Sequence, residues 1–269
     1  MSTIDFEKLG SQDKAKITDR VWWEELGLSP DNEVIQDPHW FQVITRSSPG
    51  LLANSVAKCE IDEADIDKRI QQTIATYRDL GSAFHWVVAP SSRPRDLASR
   101  LTAAGMKLGG TSSGLIADPR KITVAQRADV TVEPLTDKNL DEYSALISSD
   151  AFIEEHAVAR HRKMVHHHLK EKGHLVSHFL ARFQGKPAGI AQIRYHSGYA
   201  FIPGGRPEVK PQFANNGVFS ALAAHLAADA VKKGFHVIAN YAGKETAPLW
   251  LKLGFEKTSD YALYFWRPN

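Results

Sequence analysis

The sequence predicts an α/β protein built from two domains, each around a mixed (α+β) sheet, and three observations predict it. From Val130 onward, apolar runs of strand length alternate with amphipathic helical stretches in the order β-α-α-β-β-β-α-β-α-β. The helical stretches stop at glycines, and Gln184-Gly185-Lys186-Pro187 separates two apolar runs as a hairpin turn would. A shorter strand-helix-glycine arrangement occurs in the first half, so the 269 residues divide into two domains of ordinary size. We place these domains at residues 1–120 and 128–269, on either side of the polar stretch 118–129 with Pro119 early in it.

The elements follow in order. Residues 1–49 are the least patterned; Val21-Trp22-Trp23 with Leu26 and Leu28 read as an amphipathic helix that ends at Gly27 to Pro30, and residues 42–45 as a short strand. Residues 51–61 read as a strand. Asp62 is positioned to cap a helix whose Ile66, Ile70, Ile74 and Tyr77 share a face and which Gly81 ends. Residues 84–89 form a strand, 96–104 a helix stopped by Gly105, and 107–117 a strand. In the second half, 130–134 is a strand and Asp137 caps a helix through Leu140, Tyr143, Leu146 and Ile147. Residues 153–172 form a His-rich helix, and 175–183 with 188–196 the hairpin strands. Residues 199–202 and 208–209 continue the sheet. Residues 217–233 form a helix with Val218, Leu222 and Leu226 on one face; then come a buried strand at 235–241, a short helix at 246–253 ended by Gly254, and a last strand at 255–266.

Composition narrows the function classes. A formal charge of +2 gives no field for nucleic acid or an anionic membrane, so any phosphate site has to be local. No run reaches the roughly 18 apolar residues of a membrane span, and residues 1–20 show no secretory h-region. A single cysteine, Cys59, forms no internal disulfide; it lies in an apolar run and reads as a buried small hydrophobe. These features lead us to expect a cytoplasmic protein.

Three segments carry a family resemblance. The first is Val209-Lys210-Pro211-Gln212-Phe213, the second Ala214-Asn215-Asn216-Gly217-Val218-Phe219, and the third runs from Ala247 through Pro248, Trp250 and Leu253 to Gly254 and Phe255. In that order they resemble the fourth-strand close, the Arg/Gln-x-x-Gly-x-Gly/Ala turn and the Gly-Phe close of the GNAT N-acetyltransferases. The motifs cover about the last 60 residues, and the element order extends the likeness to Val130. The first half, with Ala104-Gly105-Met106 at its own close, resembles a degenerate GNAT-like unit, as in tandem GNAT proteins.

The resemblance implies an acyl-CoA-dependent N-acyltransferase, with acetyl-CoA or another acyl-CoA as cosubstrate and a small amine or amino-acid-like molecule as acceptor. It implies no metal. It leaves open a GNAT-fold protein that binds CoA or another ligand without transfer, or one that uses a bulkier acyl donor. A homodimer also stays open. By the same likeness, cofactor contacts fall to Val209, Pro211, Phe213, Ala214, Asn215, Asn216, Gly217, Val218, Phe219 and Trp250. The chemistry suits the turn: backbone N–H groups at a helix N-terminus bind a pyrophosphate, and glycine lets the backbone approach it. Lys210 or Arg206 can add a point charge.

Two departures are plain. Ala214 replaces the Arg/Gln, and Phe219 replaces a small residue; the ring either crowds the phosphates or turns into the core. The family's frequent general acid, a tyrosine, is Trp250 here, whose indole is no acid. A thiol of ordinary pKa leaves near neutrality without one. Tyr241 is the substitute acid or a packed strand aromatic. Glu154 and Glu155 are a base, an ammonium-binding pair, or a solvated helix start favoured by the dipole. His161, His166, His167, His168, His174 and His178 form an exposed His-rich stretch, or one or two of them, with His196, serve the acceptor site. Their spacing does not set ligands on one helix face.

Overall fold

The computed structural model describes residues 4–24, 31–147, 155–203 and 207–268. By contacts the chain packs as two compact units. One comprises Ala15–Gly114 and Ser259–Asn269, the other Met1–Lys14 and Leu115–Thr258.

The first unit starts within α1 (Ser11–Glu24). It holds the strands β1 (Asn32–Asp37), β2 (Trp40–Thr45), β3 (Ser55–Cys59) and β4 (Phe84–Val88), with α2 (Ile66–Asp79) between the last two. Helix α3 (Leu97–Ala103) follows, and β5 (Lys107–Ala117) carries the chain onward. Strands β3 and β4 run parallel, as a crossover through α2 requires. Ile66, Ile70, Ile74 and Tyr77 face the core beside Trp40, Phe84 and Trp86, and the Tyr77 hydroxyl donates to the Val43 carbonyl at 2.6 Å.

Three expectations change here. Residues 51–53 form a single 3-10 turn, with Leu52 in solvent, so the strand starts at Ser55. Asp65 rather than Asp62 holds the N-cap position of α2; the Asp62 carbonyl takes the N–H groups of Asp65 and Ile66. Strand β1 was not expected. Five of its six residues are exposed, so no apolar alternation marks it.

The second unit continues from the end of β5 through one 3-10 turn, Pro119–Lys121. Its further elements are β6 (Val130–Pro134), α4 (Leu140–Ile147), α5 (Glu155–Glu171), β7 (Val176–Phe183) and β8 (Lys186–Tyr195). Then come β9 (Ala200–Ile202), β10 (Glu208–Val209), α6 (Val218–Lys232), β11 (Ile238–Gly243), α7 (Ala247–Lys252) and the start of β12 (Glu256–Trp266). Antiparallel pairing joins β6, β7, β8 and β9, and β11 adds parallel to β9.

Each face of this sheet buries a helical layer. Val218, Leu222, Leu226 and Ala230 of α6 recur every four residues and pack with Ala191, Ile193 and Ile238. On the other face Leu140, Tyr143 and Leu146 of α4 and Val165 of α5 pack with Leu180 and Ile190. Gly254, with φ +93°, ends α7 as expected: the left-handed turn reverses the chain so that the Phe255 N–H returns to the Trp250 carbonyl at 3.2 Å. Among the described residues no helix is long and apolar enough to cross a membrane.

Strand β12 leaves the second unit after Thr258. Its residues Ala262–Trp266 pair antiparallel with Val88–Phe84 of β4, so the last strand completes the first unit's sheet. Tyr261 there donates to Asp19 at 2.8 Å.

Candidate functional site

Among the described residues the sheet of the second unit opens beside β11, which pairs with β9 at Ile238↔Ala200, Ala239↔Phe201 and Asn240↔Ile202 and with no later residue of that segment. Beyond Ile202 the neighbouring segment on β8 is β10, paired at Glu208↔Ile190 and Val209↔Gly189. The register slips in between. Arg194 faces Phe201 and Ile190 faces Glu208, so four residues of β8 match seven of the opposing chain, a slip of three. Strand β11 runs on to Gly243 while β10 holds to β8, leaving a fork between them.

Backbone alternation orients the donors at this fork. The Lys210 N–H donates to the Ala188 carbonyl on β8 at 2.9 Å. Successive N–H groups of a strand point to opposite edges, so that of Val209 points away from β8, toward the opening. Gly189 makes the close approach workable. A Cβ there would stand 2.9 Å from the Glu208 carbonyl oxygen, 3.1 Å from Val218 Cγ1 and 3.2 Å from Leu222 Cδ1. In the sequence Gly189 is one more residue of an apolar run, and no local pattern marks it.

From Val209 the chain makes a 3-10 turn, Pro211–Phe213, and reaches Gly217 at the N-cap of α6. The Asn216 N–H donates to the Phe213 carbonyl at 3.1 Å. Gly217 is left-handed at φ +76° and no side chain caps the helix, so the first-turn N–H groups have no side-chain acceptor at the cap. Pro211, Ala214 and Asn215 are exposed, Asn216 and Gly217 half-buried, and Phe213 packs on Phe183 at 5.5 Å between ring centres. One side chain lies across the turn that spacing gave no hint of. Arg127 Cδ is 2.7 Å from where a Gly217 Cβ would be, and its guanidinium holds the Asp129 carboxylate at 2.8 and 2.9 Å. Lys210 is half-buried, and Arg206 lies outside the described residues.

Phe219 takes the second of its two placements. It packs against the core and meets Trp250 edge-on at 5.0 Å, while Trp250, fully buried, meets Phe255 at 4.8 Å. Tyr241 lies on β11 one residue past the last pairing with β9 and is half-buried. Glu155 opens α5, and Glu154 lies outside the described residues. His196 sits past the far end of β8, stacked on Tyr199 at 5.9 Å and tilted against Phe201 at 5.2 Å. At about 3.3 Å per residue it is some 23 Å along the strand from Gly189. The structure thus gathers the turn, Val209, Phe219 and Trp250 about α6, sets Tyr241 at the fork, and keeps His196 apart from them.

The opposite face of the sheet holds a polar network under α4 and α5. Tyr143 Oη lies 3.0 Å from His178 Nδ1, and His178 Nε2 lies 3.0 Å from His168 Nδ1. All three side chains are buried, and His161 stacks on Tyr143 at 6.4 Å. His168 and His178 therefore depart from the expectation of an exposed stretch, whereas His166 and His174 meet it. Burial, with the neighbouring His168, His161 and Arg194, pushes His178 well below the usual imidazole range. Burial and the charge of Glu208 push the Tyr143 phenol up. Among the described residues no group of three or more His, Cys, Asp or Glu side chains is arranged to hold a metal ion.

No family model matches the chain, and no curated protein matches it. Solved structures do. A GCN5-related N-acetyltransferase from Kribbella flavida superposes with a TM-score of 0.71 at 14% identity, over 94% of this chain and 96% of that one. A tandem GNAT protein from the clavulanic acid biosynthesis pathway gives 0.62 at 13%, over 93% and 87%. A GCN5-related N-acetyltransferase from Sphaerobacter thermophilus gives 0.63 at 14%, over 92% and 84%. At these identities the likeness is one of fold: the chain has the GNAT fold.

Proposed function

We propose that this GNAT-fold chain is an acyl-CoA-dependent N-acyltransferase for a small amine or amino-acid-like acceptor. One observation carries the reading: the uncapped left-handed turn at Gly217 lies next along the chain from the fork that β10 and β11 leave open. The residues fit the cosubstrate. The backbone at Gly217, Val218 and Phe219 suits a pyrophosphate, and the Val209 N–H, aimed into the fork, suits the oxygen of a thioester carbonyl. Acyl-CoA supplies its acyl group as a thioester: the amine nitrogen bonds to the acyl carbon, the C–S bond breaks, and the amine proton is lost as the thiol leaves.

Within this reading Val209, Pro211, Phe213, Ala214, Asn215, Asn216 and Trp250 shape the cofactor side. Tyr241 at the fork is the candidate acid, and Glu154 and Glu155 are the acceptor-side candidates, while His196, past the far end of β8, stands away from the fork. Residues 1–120 would be a diverged GNAT-like domain and 128–269 the acyltransferase domain. A second reading, ligand binding without transfer, is favoured by the Phe219–Trp250 contact, which places an indole where an acid would serve.

Titrating acetyl-CoA while following the melting temperature, then measuring thiol release over an amine panel, tests both. Millimolar acetyl-CoA should raise the melting point and Gly217→Val should abolish that rise. Absence of any shift in the parent chain would overturn the acyl-CoA reading, and a shift without thiol release would favour the second.

A further inference from the structure

Helix α5 is lightly held to the sheet. Among its described residues only Val165 and His168 are fully buried, whereas the shorter α4 buries Leu140, Tyr143, Ser144, Leu146 and Ile147. Met164 and Leu169 pack at the edge of the same core. Two exposed ion pairs, Lys170 with Asp137 at 2.7 Å and Arg162 with Asp141, add little in water. One of the two buried anchors is therefore an imidazole. His168 Nδ1 lies 3.0 Å from His178 Nε2 on β7, and His178 Nδ1 lies 3.0 Å from Tyr143 Oη on α4. With both rings neutral, each link holds one proton between two heavy atoms, and the line from α5 through β7 to α4 closes. With both rings charged, every ring nitrogen carries a proton, and His168 and His178 would face each other donor to donor.

The surroundings do nothing to favour the charged form. Among the described residues the charges that act on His178 are those of His168 and His161 from α5 and Arg194 from β8, none of them a carboxylate. Gln192, opposite His178 on β8, is uncharged. The Glu208 carboxylate of β10 acts on the Tyr143 phenol.

We propose that the His168–His178 pair is a proton-operated latch: α5 lies on the sheet while the pair is neutral and leaves it, as one helix, when the pair is protonated. A released imidazole takes up its proton near pH 6.5, so release draws in protons below that pH and none above it. The opening equilibrium then rises about tenfold per pH unit for one proton taken up and about a hundredfold for two. The inference is independent of the acyl-CoA reading.

Hydrogen exchange of the full chain, followed by mass spectrometry at pH 7, 6 and 5 and corrected for the intrinsic rate, reads the opening. Between pH 6 and 5 the helix Glu155–Glu171 should lose protection by about ten- to a hundredfold, while the inner strand β8 keeps its own. Loss of protection in α5 and β8 together would overturn the latch, because the unit would then be unfolding as a whole. An α5 as protected at pH 5 as at pH 6 would overturn it too. Replacing the line with apolar groups, Tyr143→Phe, His168→Leu and His178→Leu in one chain, should leave α5 equally protected at both pH values; a variant that still responds to pH would speak against the pair. If that variant does not fold, ring-proton NMR of the parent decides. The His178 ring should become charged only in step with the loss of α5 protection, and a ring that charges beneath a protected α5 would refute the latch.

Discussion

His168 Nδ1 and His178 Nε2 lie 3.0 Å apart, both rings buried, with Tyr143 on the far side of His178. That link carries one proton between two nitrogens, so doubly charging the pair would break it. Burial first, and then the charges of His168, His161 and Arg194, hold His178 below its ordinary range. In the unfolded chain the same imidazole takes up a proton near pH 6.5. The unfolded state then binds more protons, so the stability that His178 contributes is complete above about pH 6.5 and is lost as pH falls below it. His85 and His225, also lowered chiefly by burial, act in the same direction. Urea unfolding between pH 7 and 5 should show stability falling, and His178→Gln should remove about one proton, roughly 1.4 kcal/mol per pH unit, from that slope. An unchanged slope in the variant would remove His178 from the account.

Gly189→Ala should be costly for a residue so small. The added methyl would meet the backbone oxygen of Glu208 at 2.9 Å with Val218 and Leu222 close behind, so β10 or α6 would have to move. Overpacking of this kind costs about 1–3 kcal/mol. Denaturant unfolding should read that loss, and the rise in melting point with acetyl-CoA should shrink with it. A variant as stable as the parent would contradict the tight approach.

Trp250→Ala should destabilise the chain by about 3–5 kcal/mol, since it empties a fully buried site between Phe219 and Phe255. Trp250→Tyr keeps an aromatic ring in place and should cost less. If the indole only fills space, thiol release by the tyrosine variant should match or exceed that of the parent; a collapse of turnover with stability preserved would give Trp250 a chemical part.

Cys59 should be inert while the protein is folded. Its thiol is buried and pushed up to about 12, mainly by burial, and the thiolate is the reactive form. Labelling with a thiol-reactive dye at pH 8 should be slow and should accelerate with denaturant in step with unfolding. Fast labelling of native protein would show that this part of the core opens readily.

Much of the second unit is legible in the sequence because its determinants are local. The stop at Gly254, the four-residue spacing of Val218, Leu222 and Leu226, and the Gln184–Gly185 hairpin turn each fix a short stretch of backbone. What escaped depends on contacts between distant residues. His168 is the innermost of three consecutive histidines, and only the packing of α5 decides which of them is buried. Arg127 reaches Gly217 from ninety residues earlier in the chain. Asn240 reads as an ordinary interruption of an apolar strand until the structure shows that nothing described bonds to it. Strand β1 was missed for the opposite reason: a polar, exposed strand carries no pattern to read.

The pairing of Ala262 with Val88 reverses the order of completion during synthesis. The unit that contains β4 emerges from the ribosome first, with its edge at β4 still bare. It waits for residues 262–266, made after nearly all of the second unit, before that edge is covered. A nascent chain stalled before Tyr261 would therefore hold an unfinished first unit with an open strand edge, and the arrival of residues 262–266 is the event that closes it.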